Sequence, residues 1–188
     1  AIPYAEKAIE ASEQPSESWY QLITSANFEI EDFPQAGKWL LKLVERWPEK
    51  GSYWEQLASI YVMMEDEAMA LSTLRLAWSE GVLDREASIK SMVQLAAARG
   101  IPDHAARMIE SGFEQGLLPR DETFVRLLAN ALVSAKENKL AIEAFRRLSE
   151  IAKNGEPLVR VANLYLEMGQ WQQAEQALEK AIDLGLDD

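Results

Sequence analysis

The side chains able to do chemistry are few, and their spacing argues against catalysis. His104, in "GIPDHAAR", is the one imidazole of the chain, and cysteine is absent. One imidazole without a thiolate or a second histidine makes a poor metal site, and it needs a partner within reach to act as a general base. Its place at the start of a predicted helix suits a solvent-facing or first-turn histidine. The carboxylates of "MEDE", residues 64–67, fall in a predicted turn and read as a solvated charge run. No segment sets oxygen ligands at alternating positions around a mid-loop glycine, as calcium requires. A Gly-rich phosphate loop and a GxSxG elbow are missing as well. The expectation is a protein that is not an enzyme and holds no metal or cofactor.

A second constellation concerns recognition. Lys90, Arg126 and Arg160 each stand close to an amide, respectively Gln94, Asn130 and Asn163. In a chain with 31 acidic and 19 basic residues, and a formal charge of −12, positive potential would concentrate there. Guanidinium groups and amides suit carboxylates and peptide backbone, so one reading is a strip for an extended or acidic-tailed polypeptide. The other is that these cations pair with the surplus Glu and Asp around them. A surface this negative repels phosphate backbones and anionic lipid, which argues against nucleic acid as a partner. No apolar run is long enough for a membrane helix, so direct insertion in a membrane is not expected of these residues.

The elements that must position these groups are helices. With 188 residues, 48% of them hydrophobic, the chain can bury a sizeable core. Apolar residues recur at helical spacing from end to end, without alternating strand patterns. In "YWEQLASIY" the ring of Trp54 is followed by Leu57, Ala58 and Tyr61 on one face, and Ala70, Leu74 and Ala77 continue the pattern on a second helix. Copies begin at "YQLITSAN", "IKSMVQLA", "VRLLANAL" and "LVRVANLY", with a half-copy at the start. The anchoring alanines, Ala1, Ala36, Ala70, Ala105, Ala141 and Ala174, are separated by 35, 34, 35, 36 and 33 residues. Small residues at these places let paired helices cross closely, while larger ones fill the space beside them. Gly81, Gly116 and Gly185, each followed by an apolar residue, predict Schellman ends, and Pro48 stops its helix by a different route.

These residues resemble the tetratricopeptide repeat family, with its W-x2-L-G-x2-Y and A-x3-F pattern, over essentially the whole chain. The resemblance implies an all-α, right-handed superhelical solenoid of helix hairpins. It reads as a single array with a half repeat at 1–13 and repeats at about 17–50, 51–85, 86–121, 122–154 and 155–188, cut from a longer protein. Trp54 and Trp171 take positions that bury rings between helices. Trp39 and Trp47 either cover a neighbouring repeat or join an exposed patch.

Family members bind polypeptides on the concave face lined by first helices. Carried over here, that face includes Gln21, Ser25 and Phe28, then Glu55, Ser59, Val62 and Met63, before reaching the Lys90–Asn163 set. The family's carboxylate clamp is matched at Arg126 and Asn130 alone, which leaves chaperone-tail binding weakly supported. "ESWYQL", "YWEQLASIY", "GIPDHAARMIESGFEQGLL" and "YLEMGQWQQAEQALEKAIDLG" are further similar to repeat proteins associated with bacterial TonB, ExbB and ExbD systems. That narrower resemblance implies a periplasmic scaffold in iron uptake that contacts those components. A cytosolic adaptor or regulator of the same fold is the alternative. Natural arrays end on a polar capping helix, and none follows "AIDLGLDD", so Leu178, Ala181 and Ile182 are expected to be partly uncovered, with association through the ends.

Overall fold

The computed structural model describes residues 2–186, so the first anchoring alanine, Ala1, lies outside the described residues. Among those residues there are eleven α-helices and no strand. The chain divides into two compact units, Ala1–Leu95 and Ala96–Asp188. The first holds α1 (Ile2–Ala11), α2 (Glu17–Glu29), α3 (Phe33–Arg46), α4 (Gly51–Met63), α5 (Glu67–Ser79) and most of α6 (Glu86–Ala98). The second holds α7 (Pro102–Glu114), α8 (Glu122–Ser134), α9 (Asn138–Ala152), α10 (Glu156–Glu167) and α11 (Trp171–Leu184). Short turns fold α2 onto α3, α4 onto α5, α8 onto α9 and α10 onto α11. In each unit the second helix of one pair also packs on the first helix of the next, α3 on α4 and α9 on α10.

The alanine crossings explain how these pairs approach. Ala36, Ala70, Ala105, Ala141 and Ala174 are all at most 1% exposed, and Ala58, Ala129 and Ala162 of first helices are at most 3% exposed. Leu57 and Trp54 fill the space beside Ala58, while Tyr61 is half-buried. The Trp54 indole N–H donates to the Pro48 carbonyl at 2.8 Å, so the buried ring keeps its polar edge satisfied. Trp39 is buried and Trp47 half-buried. Both meet the Tyr20 ring edge-on, at 5.8 and 5.7 Å between centroids, so they close the α2–α3 pair.

Helix ends follow their cap chemistry. Asp32, Asp66 and Asp121 accept from backbone N–H groups of Gln35, Met69 and Phe124, which places Asp66 of "MEDE" at a helix start with Glu67 in the first turn. Gly81 and Gly116 have φ near +70°, and Val82 and Leu117 donate back to Ala77 and Gly112, as Schellman ends require.

Three expectations are corrected. Gly185 has φ 85° and ψ 137°, outside the left-handed helical region, and its carbonyl instead accepts from Gly155 N–H at 2.7 Å. Ala181 is 1% exposed, because α11 packs there against the start of α10. Trp171 is 70% exposed. It opens a second helix three residues before the Ala174 crossing, a place matched by Phe33 and Glu67, not the ring place of Trp54.

Candidate functional site

In the first unit, first helices are tied by two polar clasps. Lys50, the N-cap of α4, sends its ammonium to both Glu17 carboxylate oxygens at 2.6 Å, and the Tyr53 hydroxyl donates to the same carboxylate. Gln21 donates to the Tyr53 oxygen at 2.6 Å. The Lys50 hydrogen bond, then that of Tyr53, holds the Glu17 carboxyl below its usual range, and Glu17 in turn raises the Lys50 ammonium. Burial, reinforced by Glu17, pushes the Tyr53 phenol up. Arg85 stands 35 residues after Lys50 and plays the matching part: it meets Glu55 at 2.7 Å, and Ser88 also donates to Glu55. The Ser59 hydroxyl donates to the Glu55 carbonyl at 2.9 Å. Gln21, Glu55 and Ser59 are thus brought onto one face, with their polar groups largely engaged within the protein.

Between α2 and α4 this face opens into a cleft of about 540 Å³, a size suited to ligand or side-chain recognition. Thr24, Ser25, Phe28 and Glu29 line one side, and Glu55, Gln56, Ser59, Ile60 and Met63 the other, with Leu40 and Arg85 completing the lining. Leu40 and Ile60 are buried, whereas Phe28 and Met63 are 43% and 48% exposed. Thr24, Ser25 and Gln56 are shared with a smaller cleft of about 240 Å³ that reaches Gln21 and Tyr53. Of these side chains, Thr24, Glu29, Leu40, Gln56, Ile60 and Arg85 were not among the residues expected on the face. Glu29 and Gln56 sit one position round the helix from Phe28 and Glu55, so a strict face assignment passes them over.

Lys90 and Gln94 lie on α6, half-buried and exposed respectively. In the second unit Arg126 bonds Glu122 at 2.7 Å and stands 3.9 Å from Glu156, so acids flank its guanidinium on both sides. Asn130, Arg160 and Asn163 are exposed. Asn130 and Asn163 share a repeat position, but Val159 and not Arg160 holds the place of Arg126, which turns Arg160 about 100° round the helix. His104 is half-buried in the first turn of α7, and the adjacent Asp103 is held low by its bond to Arg107. Among the described residues no group of three or more His, Asp and Glu is placed to hold a metal.

A tetratricopeptide repeat family model matches residues 156–184, the α10–α11 pair. No curated protein matches the sequence significantly. Solved structures do match. YrrB, described as a TPR protein with an unusual peptide-binding site, is 17% identical with a TM-score of 0.63, covering 98% of this chain and 93% of its own. MamA from Desulfovibrio magneticus RS-1 is 12% identical with a TM-score of 0.58, covering 89% of this chain and 93% of its own. MamA AMB-1 is 17% identical with a TM-score of 0.62, covering 89% and 90%. The likeness is one of fold: the chain is built from tetratricopeptide-type helix hairpins.

Proposed function

We propose that this chain is a non-catalytic scaffold that captures a polypeptide on the face formed by its first helices. The observation that carries the reading is the cleft between α2 and α4, where Phe28 and Met63 stay exposed above a floor of Leu40 and Ile60. Exposed apolar side chains framed by polar ones are what a recognition surface needs, and reactive groups do not converge there. The peptide-binding site named for YrrB gives the reading a precedent on this fold. The test places a photo-crosslinking amino acid at Gln56 and selects binders from a random peptide library. Selected peptides should label at that position and lose binding with Phe28→Ala. Selected peptides that never label there would overturn the reading.

The narrower proposal is a periplasmic component that contacts TonB, ExbB or ExbD, supported by the sequence strings resembling proteins of those systems. It predicts crosslinking of the native protein to one of these three in cells, together with recovery in the periplasmic fraction. Crosslinks to cytosolic proteins alone would favour the cytosolic adaptor instead. We further propose association through α11, where Leu178 and Ile182 are 40% and 69% exposed. Their equivalents, Leu40 and Val44 in α3 and Phe145 and Ser149 in α9, are buried.

A further inference from the structure

We infer that the α2–α4 cleft receives a polypeptide segment carrying large apolar side chains set among lysines and arginines. The inference rests on the polypeptide-binding reading above and names the chemistry of what binds.

The apolar half of the argument is local. Phe28 and Met63 stand at the lip of the cleft, and Val62 and Met64, 48% and 41% exposed, continue apolar surface around the end of α4. Methionine is unbranched and polarizable, so such a lip adapts to side chains of differing shape. Two of the three hydroxyls on the walls are turned to their own helices: Thr24 donates to the Tyr20 carbonyl and Ser59 to that of Glu55. Insertion of apolar side chains therefore contributes more than backbone pairing.

Charge decides the rest of the occupant. Residues 17–37 and 51–74, which build α2, α4, the turns after them and the starts of α3 and α5, contain no Lys, Arg or His. They carry eight acids. Glu17 and Glu55 are matched by Lys50 and Arg85, and Asp32 and Asp66 cap helices. Glu29, Glu31, Glu65 and Glu67 remain exposed, and among the described residues no ion pair reaches them. The cation at the cleft itself, Arg85, is already held by Glu55. An acidic segment would meet uncompensated carboxylates, and a second copy of this chain would bring a formal charge of −12 against them. A cationic, apolar segment satisfies both halves of the surface.

The test uses synthetic peptides sharing one pattern of leucines, with lysine at every other position in the first and glutamate in its twin, and a third in which serine replaces the leucines of the lysine peptide. Binding is read by fluorescence anisotropy. The lysine peptide should bind at least about tenfold tighter than either comparison peptide, and weaken as salt rises. Phe28→Ser with Met63→Ser should cut its affinity about tenfold, with helicity unchanged because both side chains are already half exposed. Glu29→Lys with Glu65→Lys should do the same. Glu175→Lys with Glu179→Lys makes the identical charge change on α11 in the other unit and should leave affinity within about twofold. Equal losses from both charge reversals, or tighter binding of the glutamate twin, would overturn the inference. If library peptides label Gln56 but are acidic or uncharged, the inference falls and the scaffold reading stands. If none label there, both fall.

Discussion

One residue in each turn from a first helix to its second helix takes the same left-handed backbone conformation whatever its side chain. Glu31, Glu65, Gly100, Lys136 and Gly169 have φ of 58°, 59°, 73°, 60° and 70°, and lie 34, 35, 36 and 33 residues apart. The residue after each donates back to the carbonyl five before it: Asp32 to Asn27, Asp66 to Tyr61, Ile101 to Ala96, Glu137 to Leu132 and Gln170 to Tyr165. Carbonyls left open at the helix end are thereby satisfied. For a residue with a Cβ this conformation costs about 1 kcal/mol or slightly more. Lys136→Gly is therefore expected to stabilise the chain by about 0.5–1 kcal/mol, and Gly169→Ala to destabilise it by about 1 kcal/mol, both read from urea midpoints. A Lys136→Gly variant less stable than its parent would show that its side chain does more than occupy the turn.

At the scale of elements, the start of a first helix is pressed against the end of its partner. A Cβ on Gly51 would sit 2.0 Å from the Val82 carbonyl oxygen, and one on Gly155 would sit 2.0 Å from that of Ala181. Both obstacles are backbone, so the main chain itself must move. Gly51→Ala is expected to cost about 2–3 kcal/mol, against about 1 kcal/mol for Gly81→Ala, where a Cβ meets nothing within 4 Å. Thermal unfolding of the two variants makes the comparison. The Glu17–Lys50–Tyr53 clasp joins α2 to α4 and carries a pH signature. With the Glu17 carboxyl lowered from 4.5, its contribution is complete above that pH and fades as pH falls through the folded-state value. With Lys50 raised from 10.5, its share is complete below that pH and fades as pH rises through the folded-state value. Lys50→Met should move the Glu17 titration, followed by carboxyl-carbon NMR, upward toward the ordinary range. An unmoved titration would mean that Lys50 does not hold the carboxylate in solution.

For the molecule as a whole, a formal charge of −12 opposes self-association, while the stripe of Leu178 and Ile182 on α11 promotes it. Salt shifts this balance toward association by screening the repulsion. Sedimentation at rising concentration is expected to show association that strengthens with salt. Ile182→Glu should suppress it with less than about 0.5 kcal/mol change in stability, since the side chain is already largely in solvent. Association undiminished by this change would place the contact elsewhere.

The sequence by itself determined the helices, the repeat spacing and the crossing alanines, because these follow from short-range periodicity and side-chain size. Helical spacing groups Ser25 with Phe28, and Glu55 with Ser59 and Met63; that the two groups share one face was implied by the family resemblance and not by spacing. The sequence misplaced the Trp171 ring and the Gly185 cap, where similar residue types stand in a different register or backbone state. Only the tertiary structure decided which of these polar groups are already engaged. Gln21, Glu55 and Arg126 look available along the chain, yet Tyr53 reaches the first, Arg85 with Ser88 the second, and Glu156 of α10 approaches the third, all from beyond their own helices. It also decided that α2 and α4 stand apart enough to leave a cleft. Local patterns fix which side a residue faces, whereas partners, gaps and surviving charge depend on distances between elements far apart in the chain.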